Sequence, residues 1–391
     1  MKKLDIIVNG SGMVGSACAL GMAQLGLTVG VVFNKEKYIK YRKEDPISMQ
    51  SCAVNINSEM LLTKIGTWSW IKKQRINTYN KLEVTEEPND RLTFESSKCG
   101  LPYLGHFIEN RIIETANINK YDEQENINLL PNLIESFNTD EDKTIVTFED
   151  GEQIETRLLI GADGSNSFVR EHAGIKTKGH EYDESALIIK IKSNKIDPDI
   201  TKQQFCTEGA RAILPLANQE ALLVWYNNNK INQKLVNLSN EELKEKTKSA
   251  FRNIITDFEI LDKTTFNLRK VHAKKYSYNR TLLIGDAAHS VHPFAGQGVN
   301  MGFKDVTKLL KRTEALLRKK QDPFAPYNLS VYTFNRYMDN EFLMSTLDAL
   351  DYSFHSENQF IQNLRQLLFN VPNRLKNVKN KMMMYAVGIQ T

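Results

Sequence analysis

Leu4-Asp5-Ile6-Ile7-Val8-Asn9-Gly10-Ser11-Gly12-Met13-Val14-Gly15 is the stretch on which the fold turns. The apolar run Leu4 to Val8 reads as a buried strand. Gly10, Gly12 and Gly15 then form a GxGxxG at the start of a helix, read over Met13 to Leu25 and stopped by Gly26. Thr28 to Phe33 reads as a second strand. Such a β-α-β unit implies a parallel sheet with a right-handed crossover. The glycines allow a tight turn and close approach of backbone to a pyrophosphate, and the helix N-terminus stabilises that charge. The motif does not by itself separate FAD from NAD(P). An acid is expected at the end of the second strand, to hydrogen-bond an adenosine ribose. That place falls on Phe33, with Asn34, Lys35 and Glu36 behind it; Asn34 or Glu36 serves instead if the turn is displaced.

Outward from this unit the chain reaches 391 residues, more than one core usually serves, so two lobes are expected. With 41% hydrophobic and 25% charged residues it has the balance of a soluble globular protein. A net charge of +4 and the lack of a basic block ahead of the C-terminal end argue against nucleic acid. Cys18, Cys52, Cys99 and Cys206 form no CxxC pair and read as reduced thiols of a cytoplasmic protein, with no metal site. No run approaches the ~20 apolar residues of a transmembrane helix, so any membrane contact is peripheral.

Thr144 to Phe148, Ala186 to Ile191, Arg211 to Leu216 and Ala221 to Trp225 are short runs of strand formers, and suggest a separate, largely antiparallel sheet. From Tyr327 the pattern turns helical through Tyr332, Phe334, Tyr337, Phe342 and Leu347. The expected fold class is therefore α/β: a Rossmann-like nucleotide domain with an inserted antiparallel β-rich substrate domain and a helical C-terminal region. We place the nucleotide domain at 1–75, 104–175 and 270–325. The β-rich domain takes 76–103 and 176–269, and the helical region 326–391.

Two further motifs carry chemistry. Gly161-Ala162-Asp163-Gly164-Ser165-Asn166-Ser167 follows the apolar Leu158-Leu159-Ile160 and puts a carboxylate at a strand tip, with Arg170 just beyond. The more specific one runs Leu282-Leu283-Ile284-Gly285-Asp286-Ala287-Ala288-His289-Ser290-Val291-His292-Pro293-Phe294-Ala295-Gly296-Gln297-Gly298-Val299-Asn300-Met301-Gly302. A strand ending at Gly285-Asp286 offers a carboxylate to polyol hydroxyls. Pro293 fixes a turn. Gly296 and Gly298 let backbone N–H groups approach a ring carbonyl, and a helix starting near Val299 aims its N-terminus at developing negative charge. His289 and His292 lack a third metal ligand in sequence and read as packing or turn residues.

Together the three motifs resemble the para-hydroxybenzoate-hydroxylase-like flavoprotein monooxygenases. Within them the chain is similar to the ubiquinone-biosynthesis hydroxylases, on the runs Leu104-Gly105-His106-Phe107-Ile108-Glu109-Asn110-Arg111, His292 to Asn300, Gln203-Gln204-Phe205 ahead of Ile213-Leu214-Pro215-Leu216, and Val224-Trp225. The resemblance spans about Leu4 to Gly388. It implies that FAD is the cofactor and NAD(P)H the co-substrate. Gly10, Gly12 and Gly15 then hold the FAD diphosphate, and Gly285-Asp286 the ribityl chain. Arg111 reaches the sugar-phosphate side, and Asp163 serves both nucleotides. Pro293, Gly296, Gln297, Gly298, Val299 and Asn300 line the isoalloxazine ring. No side chain is singled out as catalytic, because the flavin carries the chemistry. The implied reaction hydroxylates a prenylated phenol with O2, walled by Phe205, Leu214, Leu216 and Trp225. Other ubiquinone-biosynthesis proteins are implied as partners. Gln50 stands where the family commonly has Arg, just ahead of Ala53-Val54-Asn55. Two rivals are a flavin reductase of prenyl double bonds and a non-catalytic scaffold member, which Phe33 and Gln50 keep in play. Finally, Arg374, Lys376, Lys379 and Lys381 beside Leu375, Met382, Met383, Met384 and Tyr385 suggest contact with the inner face of a membrane.

Overall fold

The structure, a computed structural model, describes residues 1–36, 38–86, 90–206, 209–291 and 296–355, with Asn358, Met383, Met384 and Gly388. Pro293, its neighbours His292, Phe294 and Ala295, and the C-terminal segment save those four residues lie outside it.

Five parallel strands form the first sheet, in the order Thr281–Leu283, Gln153–Gly161, Lys2–Asn9, Val29–Val32, Ile127–Leu130. Ile6, Ile7 and Val8 are sealed on both sides, which is why this strand reads as a continuous apolar run. The helix Met13–Gln24 packs on one face, and Gly26 at φ 85 ends it as read. Thr144–Phe148 belongs to this sheet and not to the second one, a correction to the sequence reading. The Asp150-Gly151 turn folds it antiparallel onto Gln153–Gly161, and Ile134–Thr139 extends the hairpin. Alternation alone reveals a strand but not its partner.

The second sheet has the order His289–Ser290, Glu259–Ala273, Thr177–Lys192, Glu220–Asn228, Arg211–Pro215, Ile200–Phe205, Lys81–Glu86, Asp90–Glu95. It is antiparallel except where Ile200–Phe205 runs parallel to Lys81–Glu86. One face is covered by the helices Asn229–Val236 and Asn240–Ala250, whose Leu235, Leu243 and Phe251 pack on Leu187, Leu223 and Trp225. The opposite face turns to the first lobe. A third, three-stranded sheet of Ser51–Asn55, Gly105–Glu109 and Asn77–Tyr79 lies alongside.

The C-terminal helix spans Pro326–His355. Tyr332 and Leu347 are buried as their spacing suggested, but Phe334 and Phe342 are about two-thirds exposed and point outward.

Candidate active site

Three chain segments far apart in sequence meet at one junction. Gly302 lies where a Cβ would stand 2.6 Å from Val14 Cγ2 and 3.3 Å from Gly285 Cα. Only a residue without a side chain lets the helix Gly298–Arg318 settle against the first helix and the Gly285-Asp286 tip at once.

The glycine turn contains two different kinds of glycine. Gly10 has φ +119, and a Cβ there would sit 2.3 Å from the Ala162 carbonyl oxygen. Gly12 has ordinary φ −64, and a Cβ on it would meet only Glu114 Oε1, at 3.9 Å. Its chain neighbours aside, no other described residue comes within 4 Å of that place. Among the described residues outside its own helix and chain neighbours, nothing comes within 4 Å of a Cβ on Gly298, the first residue of its helix, and the N-cap residue of neither helix caps it with its side chain. Two uncapped helix N-termini beside open glycines are places for anionic or electron-rich groups of a ligand.

Asp286 stands between them on a short 3₁₀ turn after the strand Thr281–Leu283. It is accessible, and among the described residues its carboxylate accepts no hydrogen bond, which leaves it free for ligand hydroxyls. The protein packed about it raises its carboxyl, and His289 offsets this in part.

Behind this tip lies a buried charge cluster. Asp305 Oδ2 accepts from the Gly285 N–H at 3.0 Å and lies 2.6 Å from His289 Nε2, while Oδ1 accepts from Arg336 Nε at 2.8 Å. Burial works to raise the Asp305 carboxyl, but His289 and Arg336 outweigh it and hold it well below the usual carboxylate range. Asn300 ties the loop ahead of its helix to the third sheet. Its Nδ2 donates to Ala53 O at 2.8 Å and Gly296 O at 3.1 Å, and its Oδ1 accepts from Asn55 N–H and Ser58 Oγ.

Space beside Gly12 and Gly298 and a carboxylate at Asp286 that accepts no hydrogen bond from the described residues fit a ligand with anionic groups and hydroxyls, such as FAD. A family model described as FAD binding domain matches residues 3–325. The 3-demethoxyubiquinol 3-hydroxylase of Escherichia coli (strain K12) is 31% identical over 389 residues, 98% of each chain. The mitochondrial ubiquinone biosynthesis monooxygenase COQ6 of Rattus norvegicus is 29% identical, over 98% of this chain and 90% of its own length. The chain belongs to the ubiquinone-biosynthesis hydroxylases, which are FAD-dependent monooxygenases. Among solved structures, p-nitrophenol 4-monooxygenase PnpA of Pseudomonas putida DLL-E4 superposes with a TM-score of 0.78 at 15% identity, covering 100% of both chains. The flavin-dependent monooxygenase PieE, solved with FAD and substrate, gives 0.71 at 15% identity, over 98% of this chain and 71% of its own. Both show the fold this hydroxylase shares.

The remaining sequence-named residues can now be placed. Asp163 accepts from Asn9 Nδ2 at 3.0 Å and Ser167 Oγ at 2.6 Å, and so locks together the tips of the strands Lys2–Asn9 and Gln153–Gly161. Arg111 is turned to Glu109 at 2.8 Å and Asp45 at 3.2 Å, with Arg75 on the other oxygen of Glu109 at 2.7 Å. Phe33 follows the second strand, half-buried, its ring 5.3 Å from that of Tyr38. Gln50 is exposed. Leu214, Leu216 and Phe205 lie on the sheet face turned to the first lobe, with Ile188, Ala53 and Val291. Trp225 does not. Strand alternation sends Leu222, Val224 and Tyr226 that way and Trp225 to the other face, where it meets Phe251 edge-on at 5.7 Å.

Asp305, Arg336 and Glu114 were not named from the sequence. Asp305 had a local signal: an acid in line with the buried Met301 and Leu309, on the apolar stripe of its helix, must find a cation. Arg336 pairs locally with Asp339 and Asn340, but nothing near it in sequence points to Asp305, 31 residues away.

Proposed function

We propose that this enzyme hydroxylates the aromatic ring of a prenylated phenol or quinone precursor in ubiquinone biosynthesis. NAD(P)H supplies the two electrons, and one atom of O2 enters the ring while the other leaves as water. The observation that carries this reading is the near full-length similarity to 3-demethoxyubiquinol 3-hydroxylase. When bound, FAD supplies the transfer of those electrons to O2.

The chain's own residues bind, orient and keep water out. Gly10, Gly12 and Gly15 seat the diphosphate and Asp286 the ribityl hydroxyls, with Arg111 toward the sugar-phosphate side and Asp163 at the nucleotide strand tips. Gly296 to Asn300, with Pro293, form the bed for the ring. The N-terminus of the helix Gly298–Arg318 stabilises negative charge that develops there. Ile188, Leu214, Leu216 and Val224 give an apolar wall that suits a prenylated ring and excludes water.

No helix among the described residues is long and apolar enough to cross a membrane. The enzyme reaches its lipid substrate by peripheral contact through Arg374, Lys376, Lys379 and Lys381. Met383 takes no part in that contact, because it is buried with Leu92, Phe94 and Leu104. Co-sedimentation with anionic vesicles that is equal for the wild type and for Lys376→Glu/Lys379→Glu removes the membrane element.

The reaction is tested by metabolite profiling of a deletion strain together with oxygen uptake by the purified protein. An accumulated prenylated phenol, and NAD(P)H-dependent O2 consumption that yields hydroxylated product, are the expected results. Reduction of prenyl double bonds without oxygen uptake overturns the reading.

A further inference from the structure

Glu114 sits on the helix Asn110–Asn119 with its carboxyl aimed at the turn between Gly10 and Met13. Among the described residues, the chain neighbours of Gly12 aside, its Oε1 is the one side-chain atom within 4 Å of the place a Cβ on Gly12 would take, and the Met13 N–H nearby favours its charged form. It therefore occupies a position from which a protein side chain would touch a pyrophosphate seated on Gly12, and it faces the free N–H groups of the helix as a phosphate oxygen would. A carboxylate there stands against two phosphate charges, whereas a carboxylic acid has a proton to donate to one of them.

We infer that Glu114 is a cofactor-contacting residue that must be protonated for FAD to bind, so that uptake of the flavin is coupled to uptake of one proton from solvent. The proton goes to the Glu114 carboxyl, which then donates a hydrogen bond to a pyrophosphate oxygen.

The surroundings support the acid form. Burial raises the Glu114 carboxyl above its ordinary range, with the Met13 N–H working the other way. Among the described residues no lysine or arginine pairs with it. Arg111, three residues back on the same helix, is engaged by Glu109 and Asp45. From the strand Ser51–Asn55 comes the Cys52 thiol, pushed up to about 12 by burial and by Glu114 itself. From the segment after the second strand comes Tyr38, whose phenol burial also raises; it donates to Thr115 Oγ1 at 3.2 Å. From the first helix comes the neutral Ser16, whose Oγ accepts from Asn117 Nδ2 on Glu114's own helix at 2.9 Å. Both titratable neighbours are neutral when Glu114 titrates, so no cation makes the carboxylate welcome.

The inference rests on the FAD assignment and is independent of which phenol is the substrate. The test is FAD titration of the apoprotein between about pH 5 and 9, in two buffers of different ionisation enthalpy, for wild type and for Glu114→Gln. The wild type should lose affinity about tenfold per pH unit above the titration of Glu114, and its binding heat should report uptake of one proton. Glu114→Gln, neutral and of the same shape, should bind with no proton uptake, flat with pH and more tightly than wild type at alkaline pH. A wild type that takes up no proton, or equal pH slopes in the two proteins, overturns it. The wild-type measurement stands even if the variant fails to fold.

Discussion

His289 Nε2 lies 2.6 Å from Asp305 Oδ2, and both side chains are sealed from solvent. The histidine belongs to the most specific motif in the sequence, yet its side chain is turned into the protein. Its task is to share Asp305 with Arg336 and with the Gly285 N–H, and so to fix the turn from which Asp286 projects.

Removing the shared carboxylate takes from the buried Arg336 guanidinium its one fully buried counter-charge among the described residues, and leaves it the half-exposed Asp339 and the neutral Asn340. Asp305→Ala should cost about 3–5 kcal/mol in denaturant unfolding, the usual cost of breaking a buried pair. Because the Asp305 carboxyl is held low in the folded state, its stabilisation is complete above the ordinary carboxylate pKa of about 4 and is lost as pH falls through its depressed value. Wild-type stability measured from neutral to acid pH should fall in that window, and Asp305→Ala should have a shallower acid limb. Equal stability of the two proteins at neutral pH would refute the role.

Gly10 and Gly12 should fail differently when each becomes alanine. Gly10→Ala places a Cβ on the Ala162 carbonyl at a positive φ, so the fold itself is strained by about 1–3 kcal/mol or more. Gly12→Ala meets nothing closer than 3.9 Å, so the melting temperature of the apoprotein should hold while FAD affinity drops. Melting curves beside flavin titrations decide. A Gly12→Ala protein that binds FAD normally would mean the pyrophosphate lies elsewhere.

Asp286 makes no hydrogen bond to the described protein, so its loss should be felt by the ligand alone. Asp286→Ala should give up about 1.5–3 kcal/mol of charge-assisted bonding to the ribityl hydroxyls. That is roughly ten- to over a hundredfold in Kd. Acid-released flavin from the purified variant is the simplest readout, and undiminished flavin content counts against the assignment.

Under the proposed binding mode, Phe33 stands where a carboxylate would hold the adenosine ribose. Phe33→Glu gives up the packing on Tyr38 but should tighten FAD by about tenfold, since a hydrogen bond to a charged group is worth about 1.5–3 kcal/mol. If flavin fluorescence titration finds the two proteins equal, Glu36, exposed two residues after Asn34, already supplies the acid.

The parts of this fold that could be read from sequence are those whose signal is local. Leu4 to Val8, the glycine turn and Gly26 announce a strand, a helix start and a helix stop within a few residues of one another, and the structure follows them closely. Thr144–Phe148 was read correctly as a strand and placed in the wrong sheet, because its partner is set by the following turn. Trp225 was given to the wrong face for a related reason. Composition marks a half-buried strand, but only the layer packed on each side tells which residues turn inward. The site shows the same division. The glycines and Asp286 stand in motifs, while Arg336 lies in the buried cluster behind Asp286 and Glu114 one turn beyond the Glu109-Asn110-Arg111 run, each outside any motif.

The strand Glu259–Ala273 pairs along most of its length with Thr177–Lys192 in the second sheet, and its last residues pair with His289 and Ser290. The substrate wall and the loop that carries Asp286 therefore share one ladder of backbone hydrogen bonds. A second tie, from the buried Lys190 Nζ to Ile47 O at 2.8 Å, crosses the same boundary. A hinge needs a seam that few bonds cross, and there is none along this line. The two lobes should melt in a single cooperative transition, and protection gained by binding flavin should spread to amide protons deep in the substrate sheet.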